Sequence, residues 1–122
     1  MAKKILVVED VEDSRSILTI VLRSFGYESI EAANGGEAVA KAFSEKPDLI
    51  LLDLGLPDIS GIDVAKAIKE NPNTTHIPII AYTAWTTSEW MGAAARAGIA
   101  DYLIKPFPMK LMKERLEKII TP

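Results

Sequence analysis

The sequence predicts an α/β domain built on a parallel sheet, and three observations support this prediction. Five short apolar runs alternate with five stretches in which apolar residues recur at helical spacing. The connections between them are only a few residues long, as in domains of alternating strands and helices. Residues 49–52 are apolar at four consecutive positions, which is typical of a strand buried on both faces of a sheet.

Composition limits the number of domains and the kinds of site. The chain has 122 residues, 48% of them hydrophobic, so we expect one domain over residues 1–122. It contains no cysteine, which excludes disulfides, thiolate metal sites and thiol catalysis. A net charge of −3 with scattered Lys and Arg argues against direct nucleic-acid binding. No apolar run is long enough for a signal peptide or a membrane span, so we expect a cytoplasmic protein without membrane contact.

The first half of the chain supplies two strands and two helices before the apolar run at 49–52. Residues 5–8 predict the first strand, and the helical pattern after them ends at Gly26. Residues 27–32 mix charged and apolar side chains, which is typical of an edge strand. Asn34 is suited to cap the second helix, with Glu37 three residues later as in a capping box. The apolar positions are Ile17, Leu18, Ile20, Val21, Leu22 and Phe25 in the first helix, and Ala38, Val39, Ala42 and Phe43 as the buried stripe of the second.

The second half continues the same alternation. A third helix stops before the breakers at residues 71–73, and residues 77–82 predict the fourth strand. Thr86 or Thr87 is suited to cap a fourth helix that closes at Gly98. This helix is rich in alanine and buries little area, so we expect it to be the most weakly anchored. The remaining elements are a fifth strand at Tyr102, Leu103 and Ile104 and a last helix with Leu111, Met112, Leu116, Ile119 and Ile120 on one face.

Polar side chains stand at the ends of four of these strands. Glu9 and Asp10 follow the first, Asp53 the third, Thr83 the fourth and Lys105 the fifth. Because the carboxyl ends of parallel strands meet at one edge of a sheet, where open α/β sheets bind ligands, we expect these five groups to converge. Taken singly, each also has a structural explanation as a helix cap, a turn residue or a solvated charge. Such explanations become improbable when every relevant strand end needs one.

The residue types at this edge indicate a metal-assisted phosphoryl site. Three carboxylates held close together repel, so they take up either a proton or a cation. Carboxylate oxygens without His or Cys favour a hard cation, and Mg²⁺ suits a site with a few carboxylates and phosphate oxygens. The Lys105 ammonium and the Thr83 hydroxyl would be redundant for metal binding alone. They suit a phosphoryl group carried by the Asp53 carboxylate.

Four linked motifs resemble those of the receiver domains of two-component response regulators. They are Val7-Val8-Glu9-Asp10, Leu51-Leu52-Asp53-Leu54-x-Leu56-Pro57-x-x-x-Gly61, Tyr82-Thr83-Ala84 and Lys105-Pro106-Phe107. The resemblance covers essentially the whole chain and implies a stand-alone, CheY-like receiver domain. It also implies a flavodoxin-like, doubly wound (βα)5 three-layer sandwich with a parallel five-stranded sheet of order 2-1-3-4-5.

The resemblance further implies a role for each site residue. Asp53 is expected to accept the phosphoryl group, with Thr83 and Lys105 contributing to catalysis and Mg²⁺ as the cofactor. The Mg²⁺ ligands are expected to be Glu9, Asp10, Asp53 and the backbone carbonyl of Gly55. Thr83 and Tyr102 are expected to form a switch pair that remodels the surface of the fourth helix, fifth strand and fifth helix, and the Lys105-Pro106 bond is expected to be cis.

The same resemblance implies partners and leaves alternatives. The phosphoryl donor is expected to be a phosphohistidine of a sensor histidine kinase or a histidine phosphotransfer protein, and the output a downstream protein target. The chain would be a monomer or weak dimer and not an enzyme beyond its own phosphorylation and dephosphorylation. The alternatives are a phosphorylation-independent interaction module and a phosphatase or phosphotransferase acting on small molecules. Trp85 and Trp90 are interpreted equally well as partner-binding anchors or as packed side chains.

Overall fold

Five strands and five helices alternate along the chain in a computed structural model that describes residues 2–84 and 88–120. The strands are β1 (Lys4–Val8), β2 (Glu28–Ala32), β3 (Leu49–Asp53), β4 (Ile79–Thr83) and β5 (Asp101–Ile104). The helices are α1 (Glu12–Ser24), α2 (Gly35–Glu45), α3 (Gly61–Glu70), α4 (Ser88–Arg96) and α5 (Met109–Glu117). The predicted flavodoxin-like α/β architecture is confirmed.

All strand pairs in the sheet are parallel, in the order β2-β1-β3-β4-β5. The sequence assigned β2 to an edge because of its mixed composition, and it lies at an edge. The five residues of β3 are all buried, as expected of a central strand. Pro78 lies just before β4, where its missing N–H removes no bond from the ladder. This order brings the ends of β1, β3 and β4 side by side.

The helices cover the sheet from both sides, which gives two hydrophobic cores. One core joins α2, α3 and α4 to alternate strand residues such as Leu6, Ile50 and Ile79. The other joins α1 and α5 to the strand residues that lie between these, such as Ile5, Leu49 and Ile80. The sheet is thus the middle of three layers, with helices on both faces.

The predicted cap of α2 is present, but α1 and α2 both expose apolar residues to solvent. The side chain of Asn34 caps α2 by accepting a hydrogen bond from the backbone N–H of Glu37 at 2.9 Å. The predicted buried position of Phe43 is wrong, because its side chain is 52% exposed. On α1, Ile17 and Ile20 also face solvent, while Leu18 and Leu22 are buried. Both helices therefore carry more apolar residues than their contact with the sheet can cover.

Helix α4 has the fewest fully buried residues among the described helices. Its buried residue is Ala94, whereas α3 buries five residues. Trp90 is half-buried and packs against the core, which favours the packed interpretation for that residue. The expected cap at Thr86 or Thr87 and the side chain of Trp85 lie outside the described residues. Within residues 2–84 and 88–120, no helix has the length and apolarity needed to cross a membrane.

Candidate functional site

Three carboxylates meet at the carboxyl edge of the sheet. Glu9 and Asp10 lie directly after β1, and Asp53 is the last residue of the neighbouring strand β3. One carboxylate oxygen from each lies within 4.8 Å of the others. Glu9 is 2% exposed and Asp53 is 8% exposed, while Asp10 faces solvent. The acids that were predicted to converge therefore lie together.

Lys105 brings a positive charge to the two buried acids. It follows β5, and its ammonium Nζ lies 3.5 Å from Asp53 Oδ2 and 3.7 Å from Glu9 Oε1. The backbone N–H of Lys105 donates to the Thr83 carbonyl at 2.8 Å, which fixes the chain as it leaves the sheet. The Lys105-Pro106 peptide bond is cis, as the resemblance implied.

The electrostatic balance at Glu9 reflects its burial. Desolvation raises the pKa of the Glu9 carboxyl above its usual value, while the Val11 N–H, which donates to Glu9 Oε2 at 3.1 Å, opposes that shift. The nearby Asp53 carboxylate raises the pKa further, and the Lys105 ammonium lowers it. A proton or a cation is therefore favoured among these acids.

The loop after β3 turns back onto Asp53. The backbone N–H of Gly55 donates to Asp53 Oδ1 at 3.0 Å, and Gly55 itself is exposed. Further along this loop, the Asp58 carboxylate accepts from the backbone N–H groups of Gly35 and Gly36 at 2.8 and 2.9 Å. Hydrogen bonds thus connect the start of the loop to Asp53 and Asp58 to the first turn of α2.

The two residues predicted as a switch pair lie on neighbouring strands. Thr83 is buried at the end of β4, and Tyr102 is half-buried in β5 and packs against the core on the α4 side. A small cavity between them is lined also by Trp90, Met91 and Ala94 of α4. A movement of either side chain would therefore change the cavity that α4 also lines.

Two residues to which the sequence analysis gave no role contact this site. Tyr82 of β4 donates its hydroxyl to the Val8 carbonyl at 3.0 Å and lies under the Lys105 ammonium. Arg15 of α1 donates to the carbonyl of Glu9 at 2.8 Å and to the carboxylate of Glu31 at 3.1 Å. An aromatic residue in an apolar strand and an arginine in a helix carry no local signal for such contacts.

The donor set matches the preference of a hard divalent cation. The clustered groups are all carboxylates, and oxygen ligands of this kind suit Mg²⁺, which retains several of its waters. Two of the three acids are buried beside one lysine, so they leave an excess of negative charge for a cation to balance.

Comparison with known proteins identifies the family. Residues 5–117 match the response regulator receiver domain. The chain belongs to this family. It is 38% identical over 120 residues to the phosphate regulon transcriptional regulatory protein PhoB of Pseudomonas aeruginosa, covering 98% of this chain but about half of that protein (52%). It is 33% identical to the polar-differentiation response regulator DivK of Brucella anthropi, covering 98% of each.

Solved receiver structures share the fold. A chemotaxis protein, CheY4 of Vibrio cholerae, matches with a TM-score of 0.93 and 29% identity, covering 98% of this chain and all of that one (100%). The receiver domain of the sensor histidine kinase PA1611 of Pseudomonas aeruginosa matches with a TM-score of 0.90 and 33% identity over 98% of each chain. That structure has a magnesium ion coordinated in its active site cleft. Receiver domains are signalling switches of two-component systems, and this chain is a receiver domain.

Proposed function

We propose that this receiver domain takes a phosphoryl group onto Asp53 from a phosphohistidine of a sensor histidine kinase or histidine phosphotransfer protein. The observation that carries the proposal is the environment of Asp53. Its carboxylate is 8% exposed, lies within 4.8 Å of two further acids and is 3.5 Å from the Lys105 ammonium. A buried acid with these neighbours is placed to act as a nucleophile towards an anionic group.

In this proposal Glu9, Asp10, Asp53 and the backbone carbonyl of Gly55 hold Mg²⁺. Bound Mg²⁺ would neutralise the negative charge of a phosphoryl group that approaches the carboxylates. An oxygen of Asp53 forms the new P–O bond while the P–N bond to the donor imidazole breaks, and the leaving imidazole takes up a proton. The Lys105 ammonium and the Thr83 hydroxyl bind the phosphoryl oxygens, so the chain contributes mainly positioning and charge.

The signal then passes to a protein surface. Thr83 moves towards the phosphoryl group, Tyr102 turns inward, and the surface formed by α4, β5 and α5 changes for a downstream protein target. The half-buried position of Tyr102 and the single fully buried residue of α4, Ala94, support this step. The domain would act in the cytoplasm as a monomer or weak dimer, without direct nucleic-acid or membrane binding. Its chemistry would be limited to its own phosphorylation and dephosphorylation.

Phosphorylation by acetyl phosphate tests the proposal. With Mg²⁺ present, intact mass spectrometry should show one added phosphoryl group on the wild type and none on Asp53→Asn. Asp63→Asn is the matched control, because Asp63 is an exposed acid in the first turn of α3. Labelling of Asp53→Asn at the wild-type level would overturn the assignment of the acceptor. A wild type that binds Mg²⁺ but is never labelled would favour the phosphorylation-independent module instead.

A further inference from the structure

Tyr82 occupies an unusual position for a core aromatic residue. It lies on β4 directly opposite Asp53 in the strand register, and its side chain is 1% exposed. It belongs to the core formed with α1 and α5, yet its hydroxyl contacts the Val8 carbonyl, next to Glu9, and its ring face contacts the Lys105 ammonium. A side chain that only filled the core would need neither of these contacts.

The hydroxyl group links β4 to the end of β1. It donates to the Val8 carbonyl at 3.0 Å, although β3 lies between these two strands in the sheet. Val8 is the last residue of β1, and Glu9 and Asp10 follow it directly. A hydrogen bond at this peptide therefore fixes the point from which both acids project.

The ring face contacts the lysine. Lys105 Nζ lies 4.6 Å from the centroid of the Tyr82 ring, within the range of a cation–π contact. The same ammonium lies between Asp53 and Glu9, at 3.5 and 3.7 Å. A lysine side chain has many rotamers. The Tyr82 ring, as a third neighbour of the ammonium, restricts the side chain to rotamers that place the charge between the two carboxylates.

We propose that Tyr82 is a positioning residue for phosphoryl transfer: its ring orients the Lys105 ammonium, and its hydroxyl orients the segment that carries Glu9 and Asp10. This inference rests on the proposed function and adds a residue to it. An aliphatic side chain at position 82 would fill the core but provide neither contact. A phenylalanine would provide the ring contact alone.

Nuclear magnetic resonance tests the ring contact directly. Protons near an aromatic ring face are shifted upfield, so the Lys105 side-chain methylene protons should be upfield-shifted in the wild type and in Tyr82→Phe. They should return to ordinary positions in Tyr82→Leu. Ordinary Lys105 shifts in the wild type would overturn the proposal, whether or not Tyr82→Leu folds.

Kinetics separates the two contacts. We expect Tyr82→Phe to raise the Mg²⁺ dissociation constant about two- to tenfold, the effect of losing one hydrogen bond, while the phosphorylation rate at saturating Mg²⁺ changes little. We expect the phosphorylation rate of Tyr82→Leu at saturating Mg²⁺ to be ~3- to 10-fold lower than that of Tyr82→Phe, because the ring contact is lost. Tyr27→Phe is the matched control, because this buried hydroxyl donates to the distant Ile120 carbonyl. An equal effect of Tyr27→Phe and Tyr82→Phe would reduce the hydroxyl contact to a general structural one.

A double-mutant comparison identifies the route through the lysine. If the ring acts through Lys105, the rate difference between Tyr82→Phe and Tyr82→Leu should disappear in a Lys105→Met background. The same factor in both backgrounds would mean that the ring only fills space. Failure of the proposed function would look different, because the wild type itself would then not be phosphorylated by acetyl phosphate.

Discussion

Because Gly61 has no side chain, α3 can start against the backbone of Asp53 and Leu54. A Cβ atom at Gly61 would lie 2.5 Å from Leu54 Cα and 2.6 Å from the Asp53 carbonyl oxygen, both of them backbone atoms. The Gly61 N–H also donates to the Leu54 carbonyl at 3.0 Å. Helix α3 therefore starts in direct contact with the chain that leaves β3.

We expect Gly61→Ala to lower the free energy of unfolding by about 1–3 kcal/mol, the usual cost of overpacking, and to slow phosphorylation because the backbone of Asp53 must shift. Urea unfolding and labelling by acetyl phosphate measure the two effects. Gly36→Ala is the control, because a Cβ there meets its nearest atom at 3.4 Å. Equal stability of Gly61→Ala and Gly36→Ala would contradict the close contact.

At the scale of single residues, the sequence predicted the site residues that lie at or just after the end of a strand. Glu9, Asp53 and Lys105 each follow an apolar run, so their meeting at one edge needed no tertiary information beyond a parallel sheet. Tyr82 was given no role, although it stands in one of the motifs, because a tyrosine in an apolar strand is ordinarily a core residue. Its hydroxyl contacts Val8, which is 74 positions away in the sequence.

At the scale of elements, Asp58 connects the loop after β3 to α2. Its carboxylate accepts two backbone N–H groups in the first turn of α2, where a helix leaves such donors without internal partners. These hydrogen bonds lower the pKa of Asp58 below its usual value of 3.8. No local sequence pattern indicates this contact, since its partners lie 22 and 23 positions earlier.

The lowered pKa of Asp58 predicts a pH-dependent contribution to stability. The ionised carboxylate stabilises the fold above pH 3.8, and the contribution is lost as the pH falls through the lower pKa of the folded state. Wild type should therefore be more stable than Asp58→Ala at neutral pH, and the difference should shrink in acid. Urea unfolding followed by circular dichroism at several pH values measures this. A difference that stays constant down to the lowest pH would contradict the ionic contact.

The predicted buried stripe of α2 was wrong at Phe43, where periodicity alone was used. Apolar residues at helical spacing mark a stripe, but a helix on a sheet buries a face of limited width. Ile17, Ile20 and Phe43 lie beyond that width and are more than half exposed. Caps were predicted better, because Asn34 and Glu37 act within one turn of chain.

At the scale of the whole molecule, a cation that binds at the acidic site would couple its binding to folding. Three carboxylates beside one lysine repel in the folded chain and separate in the unfolded chain. A cation that binds the folded form alone stabilises it by mass action.

We expect Mg²⁺ to raise the free energy of unfolding by about 2.7 kcal/mol at a free concentration about a hundred times its dissociation constant. Asp10→Asn should lose this increase and be at least as stable as wild type without Mg²⁺, because one of the repelling charges is gone. Thermal unfolding with and without Mg²⁺ measures both effects. A gain with Mg²⁺ of the same size in Asp10→Asn would place the cation elsewhere.

The groups proposed for the chemistry all come from the carboxyl ends of strands, whereas the outer faces of the helices contribute none of them. Substitutions on those faces, including the solvent-facing side of α1, can therefore accumulate over evolution without disturbing Asp53 or its neighbours. A lineage of such proteins can change what it recognises while it keeps one reaction.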